Sequence, residues 1–232
     1  MRIGIFGDSF ADEQNIFRSD NMSWANQIRV SGYDVDNYGK CASSLYYSYL
    51  QLKEHHEKYD KVIFVATGEG RLYLDHLPET LQHVSHGRIE NLKTETKGEY
   101  PQVVKAIEYY YTHLHNYSYA RVTHQLLLKE CIRIRPDALF IPCFLESSDS
   151  GEKFNLNMIS NYDHAQLAEQ HNLEGMSIQD RRFCHMNDNN NMLVAEKIKN
   201  WIKTGEFDID QTELIQTTIP ITEILALETP CV

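Results

Sequence analysis

The sequence predicts an α/β domain of three layers, helices on both faces of a parallel sheet, and three stretches carry that reading. Residues 1–10, MRIGIFGDSF, are apolar at Ile3, Ile5 and Phe6 and stop at Gly7-Asp8-Ser9. Residues 61–67, KVIFVAT, are continuously apolar and β-branched and stop at Gly68-Glu69-Gly70. Residues 138–143, ALFIPC, repeat the pattern after a long amphipathic segment. Short apolar runs closed by glycine or small polar residues read as strands buried in a sheet. Such strands alternating with helical patterns imply a parallel sheet covered on both faces.

In chain order, the first strand is followed by a polar stretch, 11–23, and a short helix marked by Trp24, Ala25 and Ile28. Residues 33–38, YDVDNY, form a brief strand with Val35 inward and Tyr33 and Asn37 on the same face. Ser44 is a cap for a helix over 45–59, and 61–67 is the central strand. Residues 72–116, rich in His, Tyr and charge, fit no βαβ unit and read as an insertion beside the strand ends. Pro101 opens a helix within it, over 101–115. Residues 117–135 read as an amphipathic helix through Val122, Leu126, Leu127 and Ile132, stopped by Pro136. Pro142 falls near the end of the next strand, where a missing donor is tolerated. Helices are expected over 162–171 and after His185, the last carrying Leu193, Val194, Ile198, Trp201 and Ile202. The result is one domain, 1–204, with an insertion at about 72–116 and a C-terminal extension, 205–232. That extension turns from acidic to apolar at Ile219, Ile221, Ile224, Leu225 and Leu227, so it should dock, with 206–213 as an acidic spacer.

Composition narrows the function. A chain of 232 residues, 42% hydrophobic and 24% charged, suits a soluble globular domain with a large core. A net charge of −11 argues against nucleic acid and anionic membrane surfaces as partners. No apolar run approaches the roughly 18 residues of a membrane span, and a chain that opens in a strand gives no sign of a signal peptide. Five cysteines, an odd number without a CxxC pair, point to a reduced setting, the cytoplasm or a virion assembled inside a cell. His83 and His86, or His113 and His115, have chelating spacings, yet no cysteine or carboxylate set accompanies them, so no metal and no cofactor is expected.

The chemistry centres on Ser9. A parallel sheet keeps its reactive groups in the loops beyond the carboxyl ends of its strands, and Ser9 falls there. A serine hydroxyl becomes a nucleophile when a base accepts its proton, and imidazole is suited to that near neutral pH. His185, in DRRFCHMNDNNN, lies just before the last helix. The plainer alternatives are that Asp8 and Ser9 cap a turn and that His185 caps a helix.

A GDS after the first strand with a late histidine before the last helix resembles the SGNH (GDSL-like) hydrolase family, over roughly residues 1–75 and 120–203. The resemblance implies a flavodoxin-like fold of SGNH type, with Ser9 as nucleophile and His185 as general base. The family usually carries an Asp three residues before its histidine, where this chain has Arg182. Asp180 is the nearest acid and is assigned the orienting role, with Asp188 just after the histidine as its rival. The second block, 37–44, NYGKCASS, puts Ala42 at the usual glycine, with Gly39 three residues earlier. The third block should read Gly-x-Asn and here reads Gly68-Glu69-Gly70-Arg71, so the Gly70 N–H or Arg71 stands in for the missing amide.

The implied activity is that of a serine esterase or deacetylase acting on a small-molecule or carbohydrate ester, an O-acetylated sugar among the candidates. NYGKCASSLYYSY and RFCHMNDNNN are similar to SGNH-type proteins of tailed bacteriophages. The alternative is a catalytically inactive SGNH-like domain, a structural or binding part of an assembly, self-associating or joining a virion through 205–232. The missing Asn and displaced Asp favour it, and Ser9 and His185 oppose it. A nucleotide-binding module is weaker, because GDSFADEQN puts acids where a phosphate loop needs small residues. Cys184 adjoins His185, but neighbours on one backbone rarely face each other. Tyr46, Tyr47, Tyr49 and Tyr109 to Tyr111 either line a carbohydrate or acyl pocket or simply pack.

Overall fold

A computed structural model describes residues 1–13, 23–143, 188–209 and 213. Among the described residues four strands form one parallel sheet: β1 (Arg2–Phe6), β2 (Asp34–Asn37), β3 (Lys61–Ala66) and β6 (Leu139–Pro142), in the order β2-β1-β3-β6. This is the order of a flavodoxin-like doubly wound sheet, and the chain reverses direction across the sheet between β1 and β3. In register, Ile5 lies between Asn37 and Ile63, and Phe6 beside Phe64.

Side chains alternate between two cores, as strands buried on both faces require. Ile3, Ile5, Val35, Ile63, Val65, Leu139 and Ile141 face α1 (Trp24–Val30) and the last helix, α7 (Asp188–Thr204). Phe6, Val62, Phe64 and Ala66 face α2 (Leu45–His55) and α6 (Tyr117–Ile134). Gly4 leaves room for Tyr59, whose ring would lie 2.4 Å from an added Cβ.

Residues 72–116 lie between β3 and α6 and carry a small core of their own. A two-stranded antiparallel pair, β4 (Leu72–Tyr73) and β5 (His83–Val84), brackets α3 (Glu79–Gln82). After it come α4 (Ile89–Glu95) and α5 (Pro101–Tyr109), and Leu81, Val84, Leu92, Val104 and Ile107 pack together. The helix expected over 101–115 changes at Tyr110 into a π-helical turn, Tyr110–Leu114. The helix expected over 45–59 ends at His55 and tightens into a 3₁₀ turn, His56–Lys58.

Two expectations are corrected. Helix α6 does not bury Val122, Leu126 and Ile132, which are exposed; Cys131 and His124 are buried and Leu127 and Leu128 half-buried. The helix is apolar on both sides, and a bond from His124 Nε2 to the Thr67 carbonyl, 2.6 Å, draws the histidine side inward. Nor is 206–213 a spacer at its described residues: Phe207 and Ile209 pack against the α1–α7 core, and Glu213 pairs with Lys197 at 2.8 Å. The helix expected over 162–171 lies outside the described residues.

Candidate active site

Ser9 stands in the turn that follows β1 and is 6% exposed. The turn closes through Asp8, whose carbonyl accepts the Ala11 and Asp12 amides at 3.0 and 2.9 Å. Asp8 is fully buried, and its carboxylate accepts from Phe10 N at 3.1 Å, Thr67 Oγ1 at 2.7 Å and Arg71 Nη1 at 3.1 Å. Gly7 is needed for close approach, since an added Cβ would meet Val65 Cβ at 2.7 Å.

The turn after β2 is laid directly on this one. Gly39 would drive a Cβ into the backbone of Ala11 and Asp12, both at 2.7 Å. Asn37 donates from Nδ2 to the Ala11 carbonyl at 2.8 Å and accepts the Gly39 N–H at 2.8 Å. The Gly39 amide is therefore engaged within its own turn, and the residue brings two backbones together. Lys40 N and Ser43 Oγ both donate to the Gly7 carbonyl at 3.1 Å, and Cys41 N donates to Asp12 Oδ2 at 2.8 Å. Ala42, between them, has φ +61°, a left-handed conformation that costs a side-chain-bearing residue on the order of 1 kcal/mol.

The turn after β3 completes the three. Gly70 adopts φ +83°, and its carbonyl accepts the Tyr111 hydroxyl at 2.8 Å, which also reaches the Val84 carbonyl at 3.0 Å. Arg71 is turned back over the sheet end, so that Nη1 meets Asp8 Oδ2 and the Ser43 carbonyl at 3.2 Å. Ala42, Gly39, Gly70 and Arg71 thus lie in turns that touch the Ser9 turn. His185, Asp180 and Cys184 lie outside the described residues. The first turn of α7 is tied to the Ser9 turn indirectly: Trp24 Nε1 donates to the Phe10 carbonyl at 2.7 Å, and Trp24 N donates to Asn191 Oδ1 at 3.0 Å.

Four residues near Ser9 were not singled out by sequence reasoning: Asp8 as a charge partner, Asp12, Thr67 and Cys143. Cys143 contacts Asp8 Oδ2 at 3.5 Å and the Ala66 carbonyl at 2.9 Å, and burial, then the charge of Asp8, pushes its thiol pKa well up. It is a packed thiol rather than a nucleophile. The signal available for Asp8 and Thr67 was their position at strand ends, which marks a location without naming a partner.

The rim of the site is aromatic. An added Cβ on Gly70 would lie 3.5 Å from His115 Nε2, and the His115 ring stands edge-on to Tyr117 at 4.5 Å. Tyr109 and Tyr117 are exposed. Of the α2 tyrosines, Tyr47 packs against Tyr73 and His83, whereas Tyr46 is exposed. Among the described residues no group of three or more His, Cys, Asp or Glu could hold a metal ion, and no helix is long and apolar enough to cross a membrane.

No family model matches the chain, and no curated protein matches it. Solved structures similar in outline include a lipolytic protein of the G-D-S-L family from Veillonella parvula, at 11% identity and TM-score 0.40, covering 88% of this chain and 99% of that one. Another is the acetyl xylan esterase AlAXEase, at 14% identity and TM-score 0.37, covering 87% and 100%. A third is the lipase/acylhydrolase from Enterococcus faecalis, at 15% identity and TM-score 0.34, covering 90% and 99%. Likeness at these levels gives no residue of this chain a role and does not place the chain in a family.

Proposed function

We propose that the protein is a serine ester hydrolase of SGNH type, in which Ser9 attacks the ester carbonyl and His185 takes and returns the proton. The observation that carries this reading is the place of Ser9, at the carboxyl end of β1 where the sheet reverses direction towards β3. Open α/β sheets gather their ligands at that crevice. The Ser9 and Ala42 amides are the candidate oxyanion donors, with the Gly70 amide beside them. The Asn191–Trp24–Phe10 bonds hold the first turn of α7 to the Ser9 turn. Asp180 orients the histidine in this reading, and the chemistry asks for no metal or cofactor.

An O-acetylated carbohydrate is the substrate we favour. The exposed Tyr117 ring beside His115 offers a flat apolar face on which a sugar ring stacks, with hydroxyl and imidazole edges to bind its oxygens. The test is hydrolysis of p-nitrophenyl acetate and of an acetylated xylo-oligosaccharide. Replacing Ser9→Ala lowers kcat by about a thousandfold or more in a variant that still folds. An unchanged rate ends the assignment.

A second reading, an inactive SGNH-like component of an assembly, is favoured by the exposed apolar stripe Tyr119, Val122 and Leu126 on α6. Such a surface, together with the apolar end of the extension, suits contact with a second copy or with a virion. A wild-type protein inactive on a broad ester panel supports this reading over the first.

A further inference from the structure

Ester attack requires the turns after β1, β2 and β3 to keep fixed positions, and one guanidinium touches all three. Arg71, in the third turn, donates from Nη1 to Asp8 Oδ2 in the first at 3.1 Å and to the Ser43 carbonyl in the second at 3.2 Å. Asp8 is fully buried and Arg71 largely so, hence the pair is held in a low-dielectric setting where its direction is well defined. Next to Ser43 is Ala42, the residue with φ +61°. A non-glycine residue stays in that conformation where its surroundings impose it.

We propose that Arg71 is a positioning residue. Paired with Asp8, it pins the Ser43 carbonyl at the end of the turn that Ser43 N closes on the Lys40 carbonyl at 3.1 Å, and so locks that turn with Ala42 in the left-handed conformation that presents the Ala42 N–H to the developing oxyanion. Where the family pattern has a side-chain amide in the third block, this chain uses the same place to hold a backbone donor. Both bonds leave one nitrogen, Nη1, whose two N–H groups are fixed in the guanidinium plane and so point at two acceptors in set directions, which the freely rotating ammonium of a lysine does not impose. The kinetic consequence rests on the esterase reading; the conformational one does not.

The test is a cycle of Arg71→Lys, Ala42→Gly and the double variant. Lysine keeps a positive charge near buried Asp8 but has no planar group to fix the directions of its donors. We expect Arg71→Lys to lower kcat on p-nitrophenyl acetate by about a hundredfold with KM changed less than about threefold, the signature of a misplaced group rather than lost binding. Glycine takes a left-handed conformation without strain, so adding Ala42→Gly to Arg71→Lys recovers about tenfold of that loss. A loss that Ala42→Gly leaves untouched overturns the proposal in favour of direct donation by Arg71, and an unchanged kcat in Arg71→Lys overturns it outright. Independently of activity, carbon-13 alanine shifts should place Ala42 in the left-handed range in the wild type and move out of it in Arg71→Lys. An unmoved signal contradicts the proposal even if the protein hydrolyses nothing, and absence of hydrolysis with a moved signal counts against the esterase reading alone. Should Arg71→Lys fail to fold, Asp8→Asn/Arg71→Gln, which leaves no lone buried charge, is carried through the same cycle with the same expected outcomes.

Discussion

At the scale of single residues, the site is built from close approaches that the sequence marks only as glycines and small polar groups. Gly39 shows how much a turn can depend on an absent side chain. Its added Cβ would meet backbone atoms of Ala11 and Asp12, which have no flexible end to yield. Gly39→Ala should therefore destabilise the fold by about 1–3 kcal/mol, while Gly87→Ala, with nothing within 4 Å, serves as the control in the same thermal melts. Equal Tm values for the two would show that the β1 and β2 turns are not packed as described. The orienting carboxylate is a second residue-scale prediction. Asp180→Asn should lower kcat at least about a hundredfold, with Asp188→Asn near wild type, and the reverse order would transfer the role. The turns that carry Ser9 and Gly70 were legible because strand ends leave marks in sequence, whereas Ala42 entered through the resemblance alone. The Asp8–Arg71 pair was not, because spacing of 63 positions says nothing about which acid an arginine meets.

At the scale of elements, β1, β3 and β6 were read correctly because each is a largely apolar run with small residues near its end, β2 was read from Val35 within YDVDNY, and the two-residue strands β4 and β5 were not anticipated. Helix α6 was misread in its phase. Periodicity selected Val122, Leu126, Leu127 and Ile132; of these Leu127 packs on the core, and the fold turned His124 and Cys131 inward in place of the other three, His124 being satisfied by the Thr67 carbonyl. Leu126→Ala should change stability by less than about 0.5 kcal/mol, as at exposed sites generally. Cys131→Ser, which buries a hydroxyl in an apolar core, should cost about 1–3 kcal/mol. Equal costs in denaturant melts would restore the original phase. The insertion carries a pH signature. His83, between Tyr47 and Tyr73, has its pKa lowered to about 4 by burial first and then by the positive charges of Lys40 and Arg88, with Glu79 opposing. Its unfolded value is about 6.5. The unfolded chain thus binds a proton that the folded one refuses, so this contribution is present above pH 6.5 and is lost as pH falls towards 4. His83→Gln should flatten the fall in stability between pH 6.5 and 4, and an unchanged slope would show that His83 is not held neutral.

For the whole molecule, the parallel pairing of the sheet follows from alternation of strands and helices, and the insertion from the failure of 72–116 to alternate. The C-terminal boundary was harder to place, because acidic composition conceals Phe207 and Ile209, which pack on the α1–α7 core. Truncation after Lys203 removes both and should cost roughly 1–3 kcal/mol, whereas truncation after Glu213 should leave Tm within about 2 °C. Aggregation of the longer product would show that the apolar residues from Ile219 onward belong to this domain rather than to an interface. The central claim, that the crevice beside β1 holds an activated serine, is tested most directly by a fluorophosphonate probe followed by peptide mass spectrometry. The account predicts one adduct, on Ser9, and none in His185→Ala under the same conditions. Adduct formation at another serine, or none on folded wild-type protein, would contradict it.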